Sequence, residues 1–173
     1  AIEAGAEVPF LRNSGADDQT PASEATLIAL KQAEEYWSES YSIVTQLMAN
    51  CPLRNSVDIK NSVNNFIKKN AKSQLSSFKF GWMNPWWSFE LVKDGYPKYK
   101  FPKALKSRSQ DLPTLYCPSG AIWITYTKYL KEYKTFYHDD HISFPLSWIS
   151  SVDIDDNDDF QMAEYFMFWR KRK

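Results

Sequence analysis

The sequence carries no surplus of either charge: its 173 residues hold 21 Lys and Arg against 21 Asp and Glu, a formal net charge of zero. A partner recognised through its phosphate backbone needs an excess of Lys and Arg to displace condensed counterions, so nucleic acid is not an expected partner. Cysteine is scarce as well. Cys51 and Cys117 stand far apart with no CxxC spacing, which argues against a disulfide framework or a zinc module and for two reduced thiols. No apolar run approaches the length of a bilayer span, and no basic-then-apolar segment opens the chain. No membrane partner is therefore expected, and a soluble, cytoplasmic protein is the expectation. Aromatic residues, by contrast, are abundant: 7 Trp, 10 Tyr and 11 Phe exclude bulk disorder and suit one globular domain.

Ala1-Ile2-Glu3-Ala4-Gly5-Ala6 reads as the last turn of a helix running into a Gly at the C′ position, with no start signal before it, so a fragment is expected. Glu7 to Leu11 can form a strand, with Pro9 tolerable only at an edge or end. A polar loop from Asn13 to Pro21 precedes Ala25, Ile28, Ala29, Ala33 and Tyr36, whose spacing predicts an amphipathic helix. Ser42 to Met48 suits a buried strand of a parallel sheet. Ser56 is placed to cap the next helix, with Asp58 in its first turn and Ile59, Val63, Phe66 and Ile67 as its apolar stripe. Strand, helix, strand, helix argues for an α/β sheet with crossover helices.

The middle changes character. Residues 76–113 alternate aromatic and basic side chains, with breaks at Asn84-Pro85 and at Asp94-Gly95, a hairpin-turn signal. They predict an inserted arm of two or three antiparallel strands whose aromatics exceed what a thin ribbon can bury, which implies a partner surface. The end returns to the first pattern: a strand at Gly120 to Thr125, a short helix at Thr127 to Tyr133, an apolar stretch from Ile142 to Trp148 broken by Pro145, and a final helix. Asp156 caps that helix, with Phe160, Ala163 and Met167 turned inward.

The strongest local signal is Asp153-Ile154-Asp155-Asp156-Asn157-Asp158-Asp159, because so many adjacent carboxylates need either free solvation or a cation. In an extended segment Asp153 and Asp155 share one side and Ile154 takes the other, giving two hard oxygen ligands beside an apolar anchor, a pattern that suits Mg²⁺ shared with nucleotide phosphates. A solvated acidic helix start is the other reading. A calcium loop is disfavoured because Asp158 stands where the sharp turn wants Gly. His138-Asp139-Asp140-His141 lacks a further ligand and reads as a polar turn. Ser119-Gly120 and Ser150-Ser151 lack the strand-turn-helix setting of a nucleophilic serine. The tail Arg170 to Lys173 could touch phosphate or be a frayed last turn.

Several segments taken in order resemble one family, the cytidylyltransferases that make CMP-activated nonulosonic acids, typified by CMP-sialic acid synthetase. They are Gly5 to Arg12, Cys51-Pro52-Leu53-Arg54, Arg108-Ser109-Gln110-Asp111-Leu112-Pro113, Ser119 to Ile124, and Ser151-Val152-Asp153-Ile154-Asp155. The resemblance implies a three-layer nucleotide-binding α/β sheet, of the nucleotide-diphospho-sugar transferase type, flanked by helices. It further implies N-terminal truncation and a dimerisation arm exchanged between two subunits of a homodimer. It implies Mg²⁺ as cofactor on Asp153 and Asp155, which with Arg108 form the catalytic set. Arg12 and Ser23 match positions around CTP, and Arg108 a position near the sugar acid. For Arg12 and Arg108 a surface ion pair is the alternative. The implied reaction is attack of the anomeric hydroxyl on the α-phosphorus of CTP with release of pyrophosphate, for surface polysaccharide or glycan biosynthesis.

The departures also carry information. The family's Gly- and basic-rich triphosphate loop has no counterpart here, so this chain by itself is expected to be inactive. Met48, Cys117 and Trp87 stand where the family carries, respectively, a Gln, in some members an Arg, and nearby a Lys. That suggests a less polar nonulosonic acid, of the legionaminic or pseudaminic type, or loss of activity. A non-catalytic nucleotide-binding or interaction module that keeps the fold, or a nucleotidyltransferase for another sugar, are the alternatives.

Overall fold

The computed structural model describes residues 1–172. Its centre is a four-stranded sheet in the order β1 (Ile43–Gln46), β5 (Tyr116–Tyr126), β2 (Ser73–Lys79), β6 (Ile142–Pro145). Strand β5 runs antiparallel to β1 and β2, and β2 pairs with β6 in parallel, so β1, β2 and β6 all point one way. The Ser42 to Met48 stretch is thus a strand, but at an edge and paired only with an antiparallel neighbour.

Alternation along β5 makes the sheet two-faced. Ile122 and Ile124 turn to one face, where they pack with Phe66 of α2 (Ser56–Lys69) and with Ile59 and Val63. Trp123 turns to the other, against Leu75, Phe136, Leu130 of α3 (Thr127–Tyr133), and Ala22 and Leu27 of α1 (Ala22–Trp37). Helices on both faces complete the three layers. Gln74, fully buried on β2, is satisfied by α2: its amide donates to the Ser62 carbonyl and hydroxyl, and Asn65 donates back to it.

Between the pairs Leu75–Trp123 and Ser77–Pro118, the single residue Ser76 of β2 faces Ser119 to Ile122 of β5. A bulge of this kind leaves ladder groups without backbone partners, and Ser76 supplies one. The Ile122 N–H donates to Ser76 Oγ at 2.9 Å, while Oγ lies 2.9 Å from the Ser119 carbonyl.

Several expectations shift. Glu7 to Leu11 forms no strand. Pro9 has no N–H to give a ladder, and the segment lies along α1 instead, with Phe10 against Tyr36 and Trp37 and the Leu11 carbonyl bonded to Gln32. Asn55, not Ser56, caps α2, because its side chain accepts from Val57 and Asp58 while Asp58 reaches back in a reciprocal box. Ile67 is exposed. Residues 76–79 belong to β2, so the stretch outside the main sheet begins after Lys79; its only strands among the described residues are β3 (Phe89–Leu91) and β4 (Pro97–Tyr99). They turn at Asp94-Gly95, both left-handed, as a tight hairpin requires.

The last helix, α4 (Asn157–Lys171), is capped by Asp156 as expected, and Ala163 is buried against Leu53 and Val152. Phe160 and Met167, however, are exposed, and Met162 and Phe166 pack inward in their place. Residues 160–169 are apolar nearly all round, so periodicity could not choose the buried stripe. His138 to His141 forms a turn, tied by Lys72 to Asp140. Arg170 is anchored rather than frayed, donating to the Leu53 carbonyl and to Ser150. Lys173 lies outside the described residues.

Candidate functional site

In sheets of this kind, ligands gather at the carboxyl ends of the parallel strands. Three connections meet there: the loop after β1, the bulge of β5, and the segment from the turn at Ile149–Ser151 to α4. The β1 loop is closed by Arg54, whose guanidinium donates to the carbonyls of Met48 at 2.6 Å and Cys51 at 2.5 Å. Met48 N–H reaches the Gly120 carbonyl at 3.3 Å, and the Met48 side chain occupies the space a Cβ on Gly120 would fill. The third connection joins the loop where Ile154 N–H donates to the Asn50 carbonyl at 2.9 Å.

That bond fixes the alternation of the acidic run. Val152 is buried and Ile154 packs with Leu53 and Ala163, while Asp153 and Asp155 face outward. The carboxylates then divide by task. Asp156 and Asp159 form the reciprocal box that starts α4, and Asp158 sits in its exposed first turn, where the helix dipole favours an anion. Asp153 and Asp155 have no part in capping through their side chains. Among the described residues, Asp153 has one side-chain partner: the Cys51 thiol donates to its Oδ1 at 3.3 Å. Burial, and next the Asp153 charge, push the Cys51 thiol up to about 12, so it is a neutral donor at ordinary pH. Burial also draws the Arg54 guanidinium below its usual range.

Two outward carboxylates one residue apart fit a hard cation that takes its remaining ligands from phosphate and water. They do not fit a closed transition-metal site, since no group of three His, Cys, Asp or Glu side chains is placed to hold a metal ion among the described residues.

The other expected residues fall elsewhere. Arg12 lines a groove of about 510 Å³ between α1 and the free edge of β1, with Thr45 and Gln46 on its wall. Ser23 is buried, and its hydroxyl accepts from the Phe136 N–H at 3.3 Å, which makes it a packing contact in this conformation. Arg108 is exposed and held by Asp111 in a two-pronged pair, Nε to Oδ2 at 2.7 Å and Nη2 to Oδ1 at 3.0 Å. Asp153 and Asp155, two positions apart in the chain, are both exposed, and no described contact joins Ser23 or Arg108 to them. Residues the sequence reading left without a role are Cys51, Arg54, Gly120 and Thr26, whose hydroxyl is 2.7 Å from Gln46 Oε1 in the groove. A Pro-Leu-Arg run just after a strand is a signal for the first two.

A second cavity, of about 370 Å³, opens at the end of β2 and is walled by Phe78, Phe80, Trp82, Met83 and Trp148. The Trp148 ring meets Phe166 edge-on at 5.6 Å, and Phe166 packs on the cluster that holds Ile154.

No family model matches the chain. Among curated proteins it is similar to the post-translational flagellin modification protein B of Campylobacter coli, 26% identical over 96% of this chain and 71% of that protein. It is similar too to the pseudaminic acid cytidylyltransferase of Campylobacter jejuni, 27% identical over 95% of this chain and 70% of that enzyme. Among solved structures, a 4-diphosphocytidyl-2C-methyl-D-erythritol synthase from Anaerococcus prevotii superposes with a TM-score of 0.54 at 12% identity, covering 86% of this chain and 67% of that one. The last comparison shows the fold. Together the curated relatives bear out the resemblance to nonulosonic acid cytidylyltransferases over nearly the whole chain.

Proposed function

We propose that this chain is a cytidylyltransferase domain that transfers CMP from CTP to a nonulosonic acid of the pseudaminic type, releasing pyrophosphate. The observation that carries the reading is the division of the acidic run, in which capping uses Asp156 and Asp159 and leaves Asp153 and Asp155 outward at the carboxyl end of the sheet. These two would hold Mg²⁺, and the chemistry that ion would supply there is neutralisation of phosphate charge. Arg12 faces the nucleotide from its groove. Ser23 and Arg108 take part only after leaving Phe136 and Asp111. Positioning and charge, more than covalent chemistry, are what such a transfer asks of a protein. Met48, Cys117 and Trp87, in place of more polar family residues, favour a less polar sugar acid of the pseudaminic type. The arm beyond Lys79 joins two copies, and the CTP-dependent reaction belongs in the cytoplasm.

The test is pyrophosphate release with CTP, Mg²⁺ and a panel of nonulosonic acids, run in parallel on this chain and on a form extended upstream to supply a triphosphate loop, the extended form being the one whose turnover decides. Turnover with a pseudaminic-type acid, falling at least about a hundredfold in Asp153→Asn and Asp155→Asn, supports the reading. CTP binding with no turnover on any sugar acid favours a non-catalytic nucleotide-binding module, the alternative that the engaged Ser23 and Arg108 support.

A further inference from the structure

We infer that Cys51 is a positioning residue for Asp153: its buried thiol donates to Oδ1, fixes the rotation of the carboxylate and leaves Oδ2 for the cation. The inference rests on the metal reading above and adds to it a residue whose side chain touches no substrate.

An aspartate on an extended segment is poorly fixed by itself, because its terminal torsion is broad and roughly two-fold. A ligand that must be ordered on binding loses affinity to that ordering. Here the order is supplied beforehand. Cys51 is fully buried, and its thiol is 3.3 Å from Oδ1, while Oδ2 has no described protein partner. The donor itself cannot drift. Arg54 grips the Cys51 and Met48 carbonyls, and Asn50 next to it holds the Ile154 N–H, which sets the height of the neighbouring Asp153. On the remaining side the missing side chain of Gly120 admits Met48, and the Cys51 sulfur lies 3.4 Å from where a Cβ there would stand. Val or Ala would fill the same space but would leave Asp153 Oδ1 without the donor that the Cys51 thiol supplies.

Groups that orient a metal ligand contribute about ten- to a hundredfold in affinity. A thiol is a weak donor, so the lower end is expected. The probe is Mn²⁺ with CTP, read by water-proton relaxation on the whole chain, below the lowest melting midpoint of the set. Cys51→Ser, which keeps a donor, binds Mn²⁺ within about twofold of the parent, and Cys51→Ala and Cys51→Val bind about tenfold more weakly. Equal binding by all four proteins, with Asp153→Asn binding none, overturns the role of Cys51 and leaves the metal reading standing. Equal weakening of all three Cys51 variants also overturns it, because the effect then follows packing. No Mn²⁺ binding by the parent overturns the metal reading and this inference with it. Should the Ala and Val variants fail to fold, the S–H infrared stretch decides: Asp153→Asn shifts the Cys51 band and leaves that of Cys117, and an unmoved band overturns the assignment.

Discussion

The junction around Cys51 and the arm beyond Lys79 are built on opposite plans. In the junction, residues remote in sequence close on one another: Cys51 on Asp153, Asn50 on Ile154, Leu53 on Arg170. In the arm, bonds are mostly local, such as Glu90 to Lys100 and Arg108 to Asp111, and apolar side chains stand in solvent, Trp82 with 84% of its surface exposed and Leu91 with 73%. One region spends its contacts on holding a fixed geometry. The other keeps its apolar surface for something outside the chain, as the proposed dimer requires.

Removing matched arginines is the severest way to break this comparison. Arg54→Ala strips two partly buried carbonyls of their charged donor and is expected to lower stability by about 3 kcal/mol in urea unfolding. Arg108→Ala, losing only an exposed pair, is expected to cost about 0.5 kcal/mol. Similar losses would erase the distinction. Glycines sharpen it next. Gly120→Ala is expected to cost about 2 kcal/mol by overpacking against Met48, and a second change, Met48→Ala, recovers part of that. Gly95→Ala costs about 1 kcal/mol through its left-handed backbone alone, and no neighbour can relieve it, since nothing lies within 4 Å of a Cβ there.

Most of the scaffold was legible in the sequence, because its signals are local. Asp156 at a helix start, Asp94-Gly95 at a turn and the Thr127 to Tyr133 helix all stand where short-range chemistry put them. The exposure of Asp153 and Asp155 on either side of a packed Ile154 was legible as a pattern, although the bond that fixes it, from Ile154 to Asn50, was not. What was hidden depends on distant partners. The direction of β5 between β1 and β2, the thiol against Asp153, and the Ser23 hydroxyl bonded to Phe136 all join residues from separate parts of the chain. The buried side of α4 was hidden for another reason, an apolar pattern too continuous to point anywhere.

Smaller effects probe the two regions without unfolding either. Leu91→Ser with Tyr96→Ser should move the melting midpoint little, both side chains being exposed, yet lower self-association in sedimentation equilibrium. Unchanged association would remove the arm from the dimer proposal. A last effect is confined to alkaline pH and is absent at neutral pH. The folded state holds the Cys51 proton up to about 12, against 9.0 for a free thiol, so the stability tied to it is complete below pH 9 and is lost as pH rises toward 12. Cys51→Ser should flatten that slope in denaturant titrations, and iodoacetamide at pH 9 should label half-buried Cys117 before Cys51.

The Ser76 hydroxyl, standing in for a ladder partner at the bulge, gives the sheet an unusual clock. An amide bonded to a carbonyl across a ladder is released when strands part, whereas the Ile122 amide is bonded to a side-chain oxygen and is released when one hydroxyl turns. Ser76 must surrender Ser119 in the same motion, so the two events are coupled. Deuterium uptake at Ile122 faster than at Ile124 is the outcome expected if that turn, with entry of water to the buried amide, occurs without the strands parting beside the loop that carries Cys51. The exchange of a single hydrogen in the middle of the sheet reports how often the floor beneath the site shifts.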